Sequence, residues 1–465
     1  MSKKYDVIIV GAGPAGIFTA LELLDNCNNY PNIVILERGK NIVERNCPMR
    51  KQKISCQQCK PCSLLSGWGG GGAFSDGKLN LTGSIGGHLT DYFDDETLEE
   101  LIQYVDTRYL QFGANKNIYG NNQQEIDLLK RETAKANLEF IPAKIRHLGT
   151  EKCFLILKKI YDYLEKKIEI RTSVEVDRII EEDNRVKGVV TKAGEKINGR
   201  YVILSPGRVG AEWLKRKAWE LKLTITNNPV DVGVRVELPA TILKSITDIF
   251  YESKFIFYTS LFDDKVRTFC MCPYGEVVME YNDGITTVNG HSYHNRKSDN
   301  TNFALLVSTK FTEPFKEPIA YGKYIAHLAN ILSGGVIVQR LGDLISGRRS
   351  TGDRIKHSIV TPTLKSATPG DLSFVLPYRI LSDIIEMLKA LDKISPGIYS
   401  KQTLLYGVEV KFYSARLVLS DKLETKINNL FAIGDGAGIT RGLVQASVSG
   451  VVAAREIKER LKRNL

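Results

Sequence analysis

Tyr5–Gly16, YDVIIVGAGPAG, decides how the chain begins. An apolar run, Val7–Val10, breaks into Gly11-x-Gly13-x-x-Gly16 and then into a helical pattern, IFTALELL. A second apolar run, NIVILE, ends in Glu37. Strand, glycine turn, helix, strand and acid in this order form a dinucleotide-binding fingerprint. Gly11 permits the tight turn, Gly13 lets backbone amides approach a pyrophosphate, and Gly16 lets the helix pack close to the strand. The helix N-terminus faces the phosphate charge. Glu37 is placed to accept from ribose hydroxyls, and Pro14, Ala15 and Arg38 complete the cofactor-contacting positions of this segment. The pattern predicts a ligand with an adenosine diphosphate group.

Outward from this segment, the 465 residues exceed one average domain, so two or three domains or a large fold with insertions are expected. An apolar content of 43% with 25% charged residues is that of a globular protein. No apolar run approaches the roughly 20 residues of a bilayer crossing. Met1 leads into a strand without a signal-peptide core, which points to a cytoplasmic protein. The net charge of +11 raises nucleic acid as a partner. The basic residues are dispersed, however, with clusters only at helix ends (Lys158, Lys159, Lys166, Lys167; Arg455 to Arg463). Solvated helix faces and attraction for anionic ligands account for them, and nucleic acid is not the expected partner.

Residues 1–40 read as strand, helix, strand. Residues 41–87 are irregular and rich in cysteine and glycine, which marks a functional segment rather than a connector. Residues 94–165 are mainly helical. From 168 to 205 the period becomes that of strands, with turns at Asp183-Asn184 and Ala193-Gly194. Residues 228–300 suggest further strands, and 302–335 and 378–394 suggest helices. The last 40 residues return to strand, turn and helix.

Three further motifs carry a resemblance. They are TSVEVDRII through GRYVILSPG, then NLFAIGDGAG with Thr425 upstream, then RGLVQASVSGVVAA. With them the chain resembles two-domain FAD-dependent oxidoreductases of the glutathione-reductase-like superfamily. More closely, it resembles bacterial and archaeal proteins known only as FAD-dependent or NAD(FAD)-utilizing dehydrogenases. The resemblance implies an α/β fold, a Rossmann-like FAD-binding domain with an inserted α+β substrate domain. It places the backbone near Val176 at the adenine and a glycine turn at Ser205 and Gly207. That turn is usually Ala-Thr-Gly, whereas here it reads Ser205-Pro206-Gly207. It also places Gly434 and Asp435 at the ribitol hydroxyls. Gly442 and Leu443 start a helix that points at the isoalloxazine and stabilises negative charge there.

No second G-x-G-x-x-G follows a strand, so a separate NAD(P) domain is not expected. The boundaries read as FAD-binding segments 1–90, 166–225 and 401–465, a helical insertion 91–165, and a substrate domain 226–400. The expected reaction is transfer of a hydride or two electrons between a small organic substrate and FAD. NAD(P)H, as a transient donor, or a redox protein would recycle the flavin. The basic charge favours an FAD-dependent RNA-modifying or RNA-binding protein as an alternative.

Within 41–87, Gly70 and Gly71 sit in a run of four glycines that suits close approach of backbone to the cofactor. Cys47, Cys56, Cys59 and Cys62 leave three readings open. They are an iron–sulfur or other metal site, as in an electron-transfer flavoprotein, a redox dithiol near the flavin, or a zinc-stapled or unligated turn. Acid–base candidates are His147, before a helix capped by Thr150, and Tyr293. Cys270 with Cys272 is a thiol candidate. His291 with His294 is a weak metal pair, and Arg348 and Arg349 are a candidate anion clamp. Substrate identity has no transferable spacing.

Overall fold

The computed structural model describes residues 4–25, 30–52, 57, 59–226, 228–282, 284–292, 296–309, 311, 317–412 and 415–463. The chain forms two compact units. One comprises residues 1–117, 146–228 and 414–465, and the other 118–145 and 229–413.

The first unit is built on β1 (Lys4–Val10), α1 (Pro14–Leu23) and β2 (Ile33–Leu36). Its seven-stranded sheet runs Glu169–Arg171, β2, β1, Lys196–Leu204, Arg185–Thr191, Val176–Glu182, with Leu430–Ala432 also paired to Lys196–Leu204. The core strands β1, β2, Lys196–Leu204 and Leu430–Ala432 are parallel, whereas 176–204 fold as an antiparallel meander. Asp183 and Asn184 make its first turn at φ 54° and 55°, a left-handed pair that short polar side chains tolerate. Continuous apolar runs such as Val7–Val10 are buried on both faces, because helices cover a parallel sheet from both sides.

The second unit has an eight-stranded sheet with Val230–Pro239 and Asn300–Thr309 at its centre. Alternation along Val230–Pro239 sorts Val232, Val234 and Val236 to one face and Asp231, Arg235 and Glu237 to the other. The valines join a core with helices Ala240–Phe250, Pro318–Ser333 and Tyr378–Ile394. The charged face is buried too. Glu237 accepts from Tyr406 Oη at 2.5 Å and Asn300 Nδ2 at 3.1 Å, and Arg235 pairs with Glu409 at 3.1 Å.

Several expectations need correction. Residues 302–309 are a central strand, not the start of a helix; FALLV is buried on both faces, which erases the alternation that marks a strand. The boundary drawn at 400 cuts before Leu404–Lys411, which lies between Ile337–Arg340 and Val230–Pro239 in the second unit's sheet. The helical stretch 91–165 divides, since residues 118–145 belong to the second unit and supply its edge strand Glu139–Ile141.

Asp383, on helix Tyr378–Ile394, is fully buried. Burial, reinforced by the Asp264 carboxylate, pushes its carboxyl from 3.8 up to about 6. The folded chain therefore keeps this proton to higher pH than the unfolded chain. Stability falls as pH rises through that window, and the deficit persists above it. Asp383→Asn should melt higher than the parent at neutral pH, with the margin vanishing below about pH 4. Thermal melts at both pH values check this, and a margin independent of pH would count against it.

Candidate cofactor and active site

The register of the first unit's sheet assembles the site. Val10 lies opposite Leu36 and Leu204, and Leu204 lies opposite Ala432. Gly11, Glu37, Ser205 and Ile433 therefore leave the sheet from one layer, at the carboxyl ends of parallel strands where α/β sheets bind ligands. A β-carbon on Gly11 (φ 105°) would lie 2.3 Å from the Ser205 carbonyl oxygen, and one on Gly16 would lie 2.1 Å from the Gly11 oxygen. Gly13 differs, because no atom lies within 4 Å of the place its β-carbon would take. Gly207 (φ 64°) is open in the same way. Two glycines thus serve packing, and two face open space that backbone-bound phosphates require. Ser205 Oγ donates to the Val10 and Gly11 carbonyls at 3.0 Å, so the serine that departs from the usual turn fastens it to the fingerprint.

Glu37 is more occupied than its sequence role suggests. It accepts from the amides of Ala12 at 2.8 Å, Gly39 at 2.8 Å and Gly67 at 2.9 Å. One acceptor position, on Oε2, is left for an incoming hydroxyl. Arg38 donates to Ser66 Oγ at 2.9 Å. Val176 is buried opposite Thr191 at the start of its strand. Val174, two residues earlier, donates its amide to the Glu37 carbonyl at 2.9 Å.

The glycine run packs against the fingerprint. Gly69 donates to Ala12 at 2.7 Å. A β-carbon on Gly70 would lie 3.2 Å from Gly13 Cα, and one on Gly72 would lie 2.7 Å from Leu443 Cδ2, whereas Gly71 has ordinary space. Arg45, which the sequence reading missed, holds this loop from beneath. It donates to the carbonyls of Ser63, Leu64, Trp68 and Gly70 at 2.6–3.0 Å. Burial lowers its dissociation to about 10, which leaves it charged at neutral pH. An isolated arginine in an irregular segment carries no pattern that could have revealed it.

The C-terminal helix, Leu443–Lys462, starts after Gly442. Asp435 precedes it, accepting from Thr440 Oγ1 at 2.7 Å with Arg208 at 3.7 Å. Burial raises the Asp435 carboxyl above its ordinary range, while Arg208, Thr440 and the Gly442 amide act against that rise. Gly434 donates to Ser449 Oγ at 3.1 Å, and a β-carbon on Gly450 would meet the Ala15 oxygen at 2.2 Å. Ser449 and Gly450 thus serve helix packing.

A second group missed in the sequence lies on the same helix approach. Gly86-Gly87-His88 bridges antiparallel to Thr440, with His88 N donating to Ile439 at 2.8 Å and Arg441 N donating to Gly86 at 2.7 Å. His88 Nε2 is 3.3 Å from an Arg441 nitrogen. Burial, then the charges of Arg441 and Arg416, lower the His88 imidazole below its ordinary 6.5. A guanidinium cannot accept, so the neutral ring accepts at Nε2 and carries its proton on Nδ1. Asn228 also hydrogen-bonds the His88 side chain, and its own Nδ2 donates to the Gly438 carbonyl at 3.3 Å. Arg416 pairs with Asp91 at 2.6 Å and stacks on Tyr92. The glycine pair before His88 was the signal available for this group.

Other candidates fall elsewhere. The carbonyl of His147 accepts from Asn115 at 2.8 Å, and the N-cap of the following helix is Gly149, not Thr150. Cys270 belongs to the second unit, whereas Tyr293, His294 and Cys56 lie outside the described residues. Arg348 is committed to Asp343 at 2.9 Å. Cys47, Cys59 and Cys62 are free thiols. No three His, Cys, Asp or Glu gather as a metal would need among the described residues.

A glycine-lined crossing of parallel strand ends, the Glu37 carboxylate and a half-buried Asp435 before a second helix are features of a dinucleotide-binding flavoprotein, and these residues fit FAD. Residues 229–412 match the family described as FAD-dependent protein, C-terminal domain-like, and residues 363–464 match that described as glucose inhibited division protein A. With these matches the chain is similar to FAD-dependent proteins along its C-terminal half. An uncharacterized protein of Clostridium beijerinckii is 27% identical over 480 residues, covering 97% of this chain and 80% of that protein. Among solved structures, Aspergillus oryzae formate oxidase is 14% identical with a TM-score of 0.45, all of each chain being covered. The 3-ketosteroid-delta4-(5alpha)-dehydrogenase of Rhodococcus jostii is 13% identical with a TM-score of 0.44, over 98% of this chain and 97% of that one. No helix among the described residues is long and apolar enough to cross a membrane.

The glycines separate packing from binding. Gly13→Ala, at φ −77° with open space around it, should leave the apoprotein's melting temperature unchanged while weakening FAD binding roughly tenfold or more. Gly16→Ala should lower both. Apoprotein melts with flavin titration check this, and equal behaviour of the two variants would refute the division.

Proposed function

We propose that the chain transfers a hydride or two electrons between a small organic anion, a carboxylate, and FAD. NAD(P)H or a redox protein returns the flavin to its starting state. The observation that carries this reading is the basic group beside the C-terminal helix, Arg441 held by His88, with Arg416 close enough to act on the same imidazole. Bound FAD supplies the two-electron chemistry. The protein's part is placement. The Gly11–Gly16 turn and the glycine run would hold the pyrophosphate, Glu37 the adenosine ribose, and Asp435 the ribitol. The N-terminus of Leu443–Lys462 favours negative charge in front of it. Neutral His88 fixes one arm of Arg441 without adding a competing charge, so the guanidinium is presented as a fork suited to a carboxylate.

Anaerobic bleaching of the flavin by NADH and NADPH, followed by reoxidation with a panel of carboxylates and their methyl esters, tests the reading. One nicotinamide should bleach the flavin, and an acid should reoxidise it where its ester does not. Arg441→Gln should raise KM for the acid roughly tenfold or more with FAD content retained. Because the folded imidazole dissociates below 6.5, activity lost to His88 protonation should appear only on the acid side of that value, and His88→Gln should remove that limb. Failure of both nicotinamides would refute recycling by NAD(P)H. Equal turnover of acid and ester would refute the anionic substrate.

A further inference from the structure

We propose that Cys270 and Cys272, in the second unit, form a reversible thiol–disulfide pair that exchanges with a glutathione-type disulfide. Both lie at the end of strand Lys265–Cys272. The ladder with Asn300–Thr309 slips there, since Phe269 opposes Ala304 while Cys272 opposes Asn302, three steps against two. The extra residue is a β-bulge, and Cys270 occupies it at φ 45°, a left-handed conformation that residues with a β-carbon seldom adopt. Bulges re-aim side chains, and this one brings the two sulfurs to 4.0 Å. Side-chain rotation covers the remaining distance to an S–S bond of about 2 Å.

Charge and exposure favour exchange at this place. Arg235 is wholly buried, donates to the Cys270 carbonyl at 2.5 Å, and lies 3.5 Å from Cys272 Sγ. Burial opposes its charge, but Glu409 and the two sulfurs outweigh burial and hold the guanidinium protonated. A fixed positive charge beside sulfur favours the thiolate, which is the nucleophilic form. Cys272 is buried, whereas Cys270 is partly exposed and meets solution first.

The exchange balances in two displacements. The Cys270 thiolate attacks one sulfur of the disulfide RSSR, whose S–S bond breaks, and RS⁻ leaves. The Cys272 thiolate then attacks Cys270 Sγ and expels the second RS⁻. The two cysteines are oxidised to one disulfide and RSSR is reduced to two RSH, which take up the two protons the cysteines release.

The test uses the FAD-loaded protein equilibrated with reduced and oxidised glutathione over a range of ratios, then alkylated and digested with trypsin. Cleavage after Arg267 and Arg296 yields residues 268–296, which contain Cys270 and Cys272 and no other cysteine. Both alkylation sites should disappear together in one transition, the peptide losing two hydrogens. Cys272→Ser should trap a glutathione adduct on Cys270, and Cys270→Ser should abolish the transition. Two cysteines that remain alkylatable at every ratio, or that carry glutathione independently in the parent protein, would overturn the proposal.

Discussion

The carboxylate of Glu37 is the tie on which the cofactor side of the molecule depends. A buried anion is tolerable only when its lone pairs are met by donors, and here three backbone amides from separate turns meet them. Ala12 belongs to the fingerprint, Gly39 to the turn after β2, and Gly67 to the loop that leads into the glycine run. One side chain therefore fixes three separate loops. Arg45 does the converse with four carbonyls of that third loop. An anion gathering amides and a cation gathering carbonyls together make an irregular segment behave as a fixed surface. A Gly-rich loop left to its own entropy would not hold such a surface.

The second unit solves a different problem with the same means. Its central strand carries Asp231, Arg235 and Glu237 into a buried layer, where apolar residues would pack at lower desolvation cost. Each charge is met by specific partners: Ser308 and Arg267 for Asp231, Glu409 and Asn302 for Arg235, Tyr406 and Asn300 for Glu237. Removing one member would strand its partner, so the layer is demanding as well as cohesive.

How much of this was legible follows from range in sequence. β1, α1 and β2 sit within 40 residues, and their strand, turn and helix signals are local, so they could be read. The meander was equally open to reading because Asp183-Asn184 and Gly194 announce their own turns. Residues 302–309 were misread because a strand buried on both faces has no period to distinguish it from a helix. Leu404–Lys411 was assigned across the wrong boundary because only its pairing, with strands far away in the chain, reveals which sheet it joins. The glycine positions of the site were visible as glycines. Their division into those that touch backbone and those that face open space was not, since that depends on Ser205, nearly 200 residues later.

The charge of the chain shows the same limit most plainly. A net +11 suggests a basic surface, yet many of its arginines are spent inside or in fixed pairs. Arg45 lies under the glycine loop, Arg146 is bidentate to Asp106 at 2.7 Å, Arg235 is buried against Glu409, and Arg460 clasps Glu424 at 2.7–2.8 Å. Such residues contribute to composition without offering a polyanion anything to bind. What distinguishes Arg441 is not its charge but its support. It lies beside a helix start and a half-buried acid, held by an imidazole that burial and then its own field keep neutral. Net charge counts all these arginines alike, whereas what each can do depends on the partners the fold gives it.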